Sequence, residues 1–136
     1  MIVRDIMNTR VVTVDMDDTL DTVHEIFAHV HFHHILVVSG KRLMGVISDR
    51  DLLKGISPFV GTISETPRDL FTLQKRAHQI MTRHPISIRK EATLEEAAQR
   101  LLTHRISCLP VMNDDEEIEG ILSWKDLLPA LLQSSG

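Results

Sequence analysis

Apolar residues follow two alternating rhythms along this chain, and the same order of rhythms occurs twice. Val11-Val12-Thr13-Val14 is a short β-branched run of the kind that forms a strand. Thr19 then precedes Leu20, Val23, Ile26, Phe27 and Val30, whose spacing places them on one face of a helix. Ile35–Val38 and Leu43–Ile47 read as two further strands, reversed through Ser39-Gly40-Lys41, and a short helix begins at Ser48. The second pass has a strand at Ile86–Ile88 and a helix carrying Leu94, Ala97, Leu101 and Leu102. Strands Leu109–Met112 and Ile118–Leu122 follow around Asn113-Asp114-Asp115, with a closing helix from Ser123. Thr93 with Glu96 predicts a capping box at the start of the longer helix. Each copy is therefore expected to run strand, helix, strand, strand, helix.

The duplication is visible in identities as well as in pattern. Ile6-Met7 recurs as Ile80-Met81, Thr19-Leu20 as Thr93-Leu94 and Val37 as Val111, all 74 residues apart. Gly45, Ser48, Asp51, Leu52 and Leu53 recur 75 apart as Gly120, Ser123, Asp126, Leu127 and Leu128. One residue is thus added in the turn Asn113–Glu119. The expected organisation is one repeat over residues 1–56, a connecting segment over 57–76 and a second repeat over 77–136. Within the connector, Ser64-Glu65-Thr66-Pro67 looks like a helix start, and Leu70, Leu73, Ala77 and Ile80 fit one face of a single packing helix. A unit of about 55 residues is small for an independent core. The expected fold class is α/β (α+β), with two β-α-β-β-α repeats packed sheet to sheet about a pseudo-twofold axis.

Composition narrows the functional classes. The 136 residues are 43% hydrophobic and 25% charged, ordinary for a globular domain, with a formal net charge of -4. Interspersed charge of that sign excludes a broad basic face for nucleic acid or an acidic membrane. Cys108 is the only cysteine, so no intrachain disulfide can form. The longest aliphatic run, Ile35-Leu36-Val37-Val38, is far too short to span a bilayer, and the N-terminus lacks a signal-peptide pattern. A cytoplasmic location is expected. No phosphate-cradling glycine loop, catalytic triad signature or zinc-finger spacing appears, and no catalysis is expected.

The Ile-Met opening, the strand-helix-strand body, Ile106-Ser107-Cys108-Leu109-Pro110-Val111 and the closing Gly-x-x-Ser-x-x-Asp resemble the CBS domain family. Gly45-Val46-Ile47-Ser48-Asp49-Arg50-Asp51-Leu52 and Gly120–Leu127 are both close to that closing motif. The resemblance implies a tandem pair that binds an adenosine-containing ligand such as AMP, ADP or ATP in clefts between the repeats. It also implies dimerisation and regulation without catalysis. With no attached effector expected, regulation would act in trans on a separate protein.

The resemblance assigns Asp51 and Asp126, with Ser48 and Ser123, to the ribose, whose vicinal hydroxyls a carboxylate accepts. Ser-x-x-Asp at a helix start is equally a capping box, and both roles can coexist. Arg50 and Lys125 sit in the first turn of the closing helices, where amides favour anions, and are phosphate candidates. His104, Arg105 and its counterpart His31 precede the second strands, and the resemblance gives basic residues at the last position the same role; Arg105 leads. The implied adenine walls are Val12, Thr13, Ile35 and Leu36 in the first repeat, and Ile86, Ser87, Leu109 and Pro110 in the second. Most of these also read as core.

Two other readings stand beside this one. His29-Val30-His31-Phe32-His33-His34 offers imidazoles for Zn or Ni, but the matched residues Thr103, Arg105, Ser107 and Cys108 share no metal pattern. No metal ligand is therefore assigned. The other reading is a structural dimerisation module with empty clefts.

Overall fold

In the computed structural model, which describes residues 1–134, the run around Val37 forms the middle of a strand buried on both faces. β1 (Thr13–Asp15) pairs parallel with β2 (His34–Ser39), and β2 pairs antiparallel with β3 (Arg42–Ser48). Ile35, Leu36 and Val37 are all 0% exposed, which explains an unbroken apolar run where a one-sided strand would alternate. α2 (Leu20–His29) starts from the Thr19 cap and contributes Leu20 and Val23 to a core shared with Ile35, Val37, Ile47 and Leu52. α3 (Asp49–Gly55) closes this repeat. The second repeat contains α6 (Leu94–His104), β5 (Cys108–Met112), β6 (Ile118–Ser123) and α7 (Trp124–Ser134). Residues 135 and 136 of the expected second repeat lie outside the described residues. The chain is a mixed helix-and-strand fold in which each repeat builds a sheet backed by helices.

Three expectations are corrected. Ile86–Ile88 does not form a strand: Ile88 alone makes a parallel bridge, to Val111. The cause is Pro110. In the first repeat the Leu36 N–H donates to the Val12 carbonyl at 3.0 Å, and Pro110, at the matched position, has no N–H to give. Ile88 keeps its two bonds, donating to the Pro110 carbonyl and accepting from the Met112 N–H.

The capping box at Thr93 is half formed. The Thr93 hydroxyl accepts the Glu96 N–H at 3.1 Å, but no carboxylate returns from Glu96 to the cap. The N-terminal segment lies there instead, with Ile2 bridging to Thr93.

The single connector helix is broken into three pieces: α4 (Pro67–Phe71), a 3-10 turn at Thr72–Gln74, and α5 (Ala77–Ile80). Lys75 and Arg76 are extended (ψ 153° and 154°) because their backbone is used elsewhere. The Lys75 carbonyl accepts the Leu20 N–H at 2.8 Å, and Arg76 bridges to Thr19.

The compact units are staggered against the linear repeats. One consists of Val12–His84, and the other of Met1–Val11 with the chain from Pro85 onward. Each opening segment therefore packs on the other copy's body. α1 (Val3–Ile6) places Val3 in the core of Ile88, Leu94, Leu109 and Leu122. β4 (Thr82–Arg83), which follows α5, adds a strand to β3. The recurring Met and Gly are explained by the same exchange. Met81 lies against Gly45, and Met7 against Gly120, where a Cβ would overlap the methionine side chain and adjacent backbone.

Candidate ligand-binding turns

Each Ser-x-x-Asp sits where a strand ends and the closing helix begins, so strand pairing fixes its position. In the first repeat the Ser48 N–H donates to Asp51 Oδ2 at 2.8 Å, and the Asp51 N–H donates back to Ser48 Oγ at 3.0 Å. This is a complete capping box. In the second repeat the Ser123 N–H and the Ser123 hydroxyl both donate to Asp126 Oδ2, at 2.9 and 3.0 Å. The bond from the serine N–H to the carboxylate is therefore common to both turns, only the first being a full capping box, and it has a geometric consequence. It holds each half-buried carboxylate by Oδ2, and a carboxylate carries about four lone-pair sites on two oxygens. Acceptor capacity remains on a group whose orientation is already fixed.

The neighbouring residues differ between copies. Asp49 donates its N–H to the His33 carbonyl at 3.0 Å, and Trp124 donates its N–H to the Ser107 carbonyl at 3.2 Å. The two positions are thus structurally equivalent, although one carries a carboxylate and the other an indole. His33 Nδ1 donates to Asp49 Oδ2 at 2.9 Å. Burial raises the Asp49 pKa, but the His33 hydrogen bond, His33 charge, the Arg50 amide and His34 outweigh it and hold the carboxyl below 3.8. In the second repeat Lys125 Nζ lies 5.7 Å from the centre of the Trp124 ring, a cation–π distance.

The other phosphate candidates are exposed. Arg105 caps α6 in the left-handed region (φ 53°, ψ 47°), a conformation costing a non-glycine residue about 1 kcal/mol. α2 instead ends on an extended Val30, so His31 reaches β2 by a different route. Arg50 and His104 also face solvent.

Among the expected adenine walls, Ile35 and Leu109 are sealed inside their cores. Leu36 and Pro110 are buried on the opposite strand faces, while Val12, Ile86 and Ser87 are half-buried and Thr13 is exposed. The histidine run is scattered: His29 Nδ1 donates to the Glu25 carbonyl, whereas His33 turns to Asp49. Among the described residues, no three His, Cys, Asp or Glu side chains are gathered to hold a metal ion. No helix among them is long and apolar enough to cross a membrane.

Sequence reasoning missed the His33–Asp49 pair. The available signal was the substitution between copies, Asp49 against Trp124 within otherwise matching turns.

Comparison with known proteins agrees with the duplicated plan. The CBS domain family matches residues 3–58 and 77–133. A CBS domain-containing protein of Dictyostelium discoideum is 29% identical over 98% of this chain and 92% of its own length. An uncharacterized Methanocaldococcus jannaschii protein is 26% identical over 97% of this chain and 92% of its own length. Among solved structures, CBSX2 in complex with AMP superposes with a TM-score of 0.78 at 27% identity, covering 99% of this chain and 98% of that one. CBSX2 from Arabidopsis thaliana gives 0.75 at 28% identity, covering 98% and 96%.

Proposed function

Because the chain belongs to the CBS domain family, we propose that it is a non-catalytic regulatory module that senses an adenosine-containing ligand and acts in trans on a separate protein. Asp51 and Asp126 take the ribose hydroxyls, and Arg105 with Lys125 serves the phosphate in the second repeat. The observation that carries this reading is the fixed carboxylate in each closing turn. Capping spends Oδ2 on the backbone and leaves the group oriented to accept further hydrogen bonds. The AMP complex of CBSX2 supports the choice of ligand class. A ligand that favours one conformation shifts the population a partner meets, which is sufficient for regulation without chemistry.

Self-association accompanies this role. Trp124, Leu128 and Leu132 recur every fourth residue on α7 and are exposed, as is Leu102 on α6. That stripe is an apolar face suited to a second copy of the chain. The ordinary surroundings of such a module are cytoplasmic.

Thermal melting with AMP, ATP, S-adenosylmethionine and Zn tests the reading. A stabilisation by a nucleotide that Asp126→Ala removes is the expected result. Stabilisation by Zn alone, or by none of the four, would overturn it.

A further inference from the structure

The connecting segment is held in place by polar bonds and leaves its large apolar residues outside. The Ser57 N–H donates to Thr72 Oγ1 at 2.9 Å and the Ser57 hydroxyl to Asp69 Oδ1 at 2.7 Å, which ties the start of the segment to the end of α4. The Gly61 N–H donates to Glu65 Oε1, and the Thr66 N–H to Asp69 Oδ2. Leu73 is 7% exposed and anchors the segment, whereas Phe71 is 74%, Phe59 52% and Leu70 44% exposed. Phe59 lies only two residues, at most about 7 Å of chain, beyond the tethered Ser57, so it stays near the turn of α4 that carries Leu70 and Phe71. Single apolar side chains on a surface are ordinary; several gathered on one hydrogen-bonded segment mark an interaction surface.

The charges around these residues are unequally committed. Glu65 and Asp69 accept bonds from the segment's own amides and hydroxyls. Lys75 Nζ donates to the Gly55 carbonyl, and the Arg76 guanidinium donates to the Asp17 carbonyl. Among the described residues, the Arg68 guanidinium and the Lys54 ammonium make no hydrogen bond or ion pair. Arg68 precedes Phe71 by three residues on α4, a spacing that makes the two side chains neighbours on the helix surface. The charge left for an outside group is therefore positive and stands beside an aromatic ring.

We infer that Phe59, Leu70 and Phe71, edged by Arg68, form a docking surface for an acidic amphipathic segment of a partner protein. Apolar side chains of that segment lie against the rings, and its carboxylates meet the guanidinium, whose planar fork matches them. Aromatic and arginine side chains carry much of the binding energy at such surfaces. The inference rests on the trans-acting reading above and gives that action a place on the chain, separate from the α7 stripe assigned to a second copy.

The test is fluorescence anisotropy of the full-length chain, without nucleotide, against a labelled synthetic helical peptide with Leu and Phe along one face and Glu along its borders. A scrambled peptide of the same composition and a peptide with Lys in place of Glu serve as comparisons. The acidic amphipathic peptide is expected to bind, and the other two to bind at least about tenfold more weakly. Arg68→Glu is expected to weaken the acidic peptide about tenfold and to flatten its salt dependence. Phe71→Ala is expected to weaken it by about tenfold or more with the melting temperature unchanged, the side chain being exposed. No binding of the acidic peptide, equal binding of all three peptides, or an affinity untouched by both substitutions would each overturn the inference. A wild-type dimer that Phe71→Ala turns into a monomer would overturn it too, by assigning the surface to a second copy. Because no nucleotide enters this titration, its failure leaves the ribose-binding reading standing, which melting with AMP decides on its own.

Discussion

The side chain of Met81 lies where a Cβ on Gly45 would stand, with Sδ 2.6 Å from that position and the Thr82 carbonyl oxygen 2.8 Å away. Met7 and the Asn8 carbonyl crowd Gly120 in the same way, at 3.0 and 2.9 Å. The pairing of Met and Gly across copies thus locks each opening segment onto a sheet. Overpacking such a contact costs about 1–3 kcal/mol. Gly45→Ala and Gly120→Ala are each expected to lower the free energy of unfolding by that amount in urea titrations, Gly45→Ala more because its contacts are shorter. An unchanged midpoint for both would show that the segments adjust freely.

Removing the hydroxyl at Ser48 tests the capping half of the turn. Ser48→Ala leaves the Asp51 N–H without its acceptor and is expected to cost about 1 kcal/mol of stability. Ser123→Ala breaks a hydroxyl bond onto the carboxylate itself, so its effect is expected in ligand affinity as well. Chemical denaturation with and without AMP separates the two.

Asp69 gives the connector a pH dependence. Ser57 Oγ donates to its Oδ1 at 2.7 Å, and the Thr66 N–H and hydroxyl donate to Oδ2. The Ser57 bond first, then the Thr66 amide, hold the carboxyl below its ordinary 3.8. A lowered folded-state pKa means that the added stability is fully present above the unfolded value and is lost as pH falls through the folded one. Hydrogen exchange at Ser57 and Thr66 is expected to accelerate over that acidic window, beyond its intrinsic pH trend. Asp69→Asn should abolish the step; a step persisting in that variant would assign it to another group.

The apolar stripe on α7 predicts an assembly. Leu128→Lys with Leu132→Lys places two charges among exposed apolar residues and is expected to turn a dimer into a monomer in sedimentation equilibrium. A wild-type chain that is monomeric at micromolar concentration would remove the self-association claim.

Much of the architecture is legible in the sequence because periodicity reports burial directly: Leu20 and Val23 face a core, and Ile35–Val37 are buried on both sides. What periodicity cannot report is a partner's missing donor. Ile86–Ile88 looks like a strand, and only Pro110, distant in sequence, reduces it to a bridge. The connector fails similarly, since helical spacing from Leu70 to Ile80 contains no trace of the demand that Thr19 and Leu20 place on Lys75 and Arg76. At the turns, Ser-x-x-Asp reveals both the cap and the candidate clamp. The His33–Asp49 hydrogen bond links residues sixteen apart and becomes visible only once β2 pairs with β3, His34 opposite Ser48.

The central claim is that these capped carboxylates hold ribose hydroxyls, and the most direct test is calorimetric titration of the wild type and Asp126→Asn with AMP and 2′-deoxy-AMP. Asparagine retains an acceptor for the Ser123 amide but forfeits the charge-assisted bond to the sugar. The wild type is expected to prefer AMP by about tenfold or more, as befits one hydrogen bond to a charged group, and Asp126→Asn to lose most of that preference. Equal affinity of the wild type for the two nucleotides, or a preference untouched by Asp126→Asn, would contradict the account.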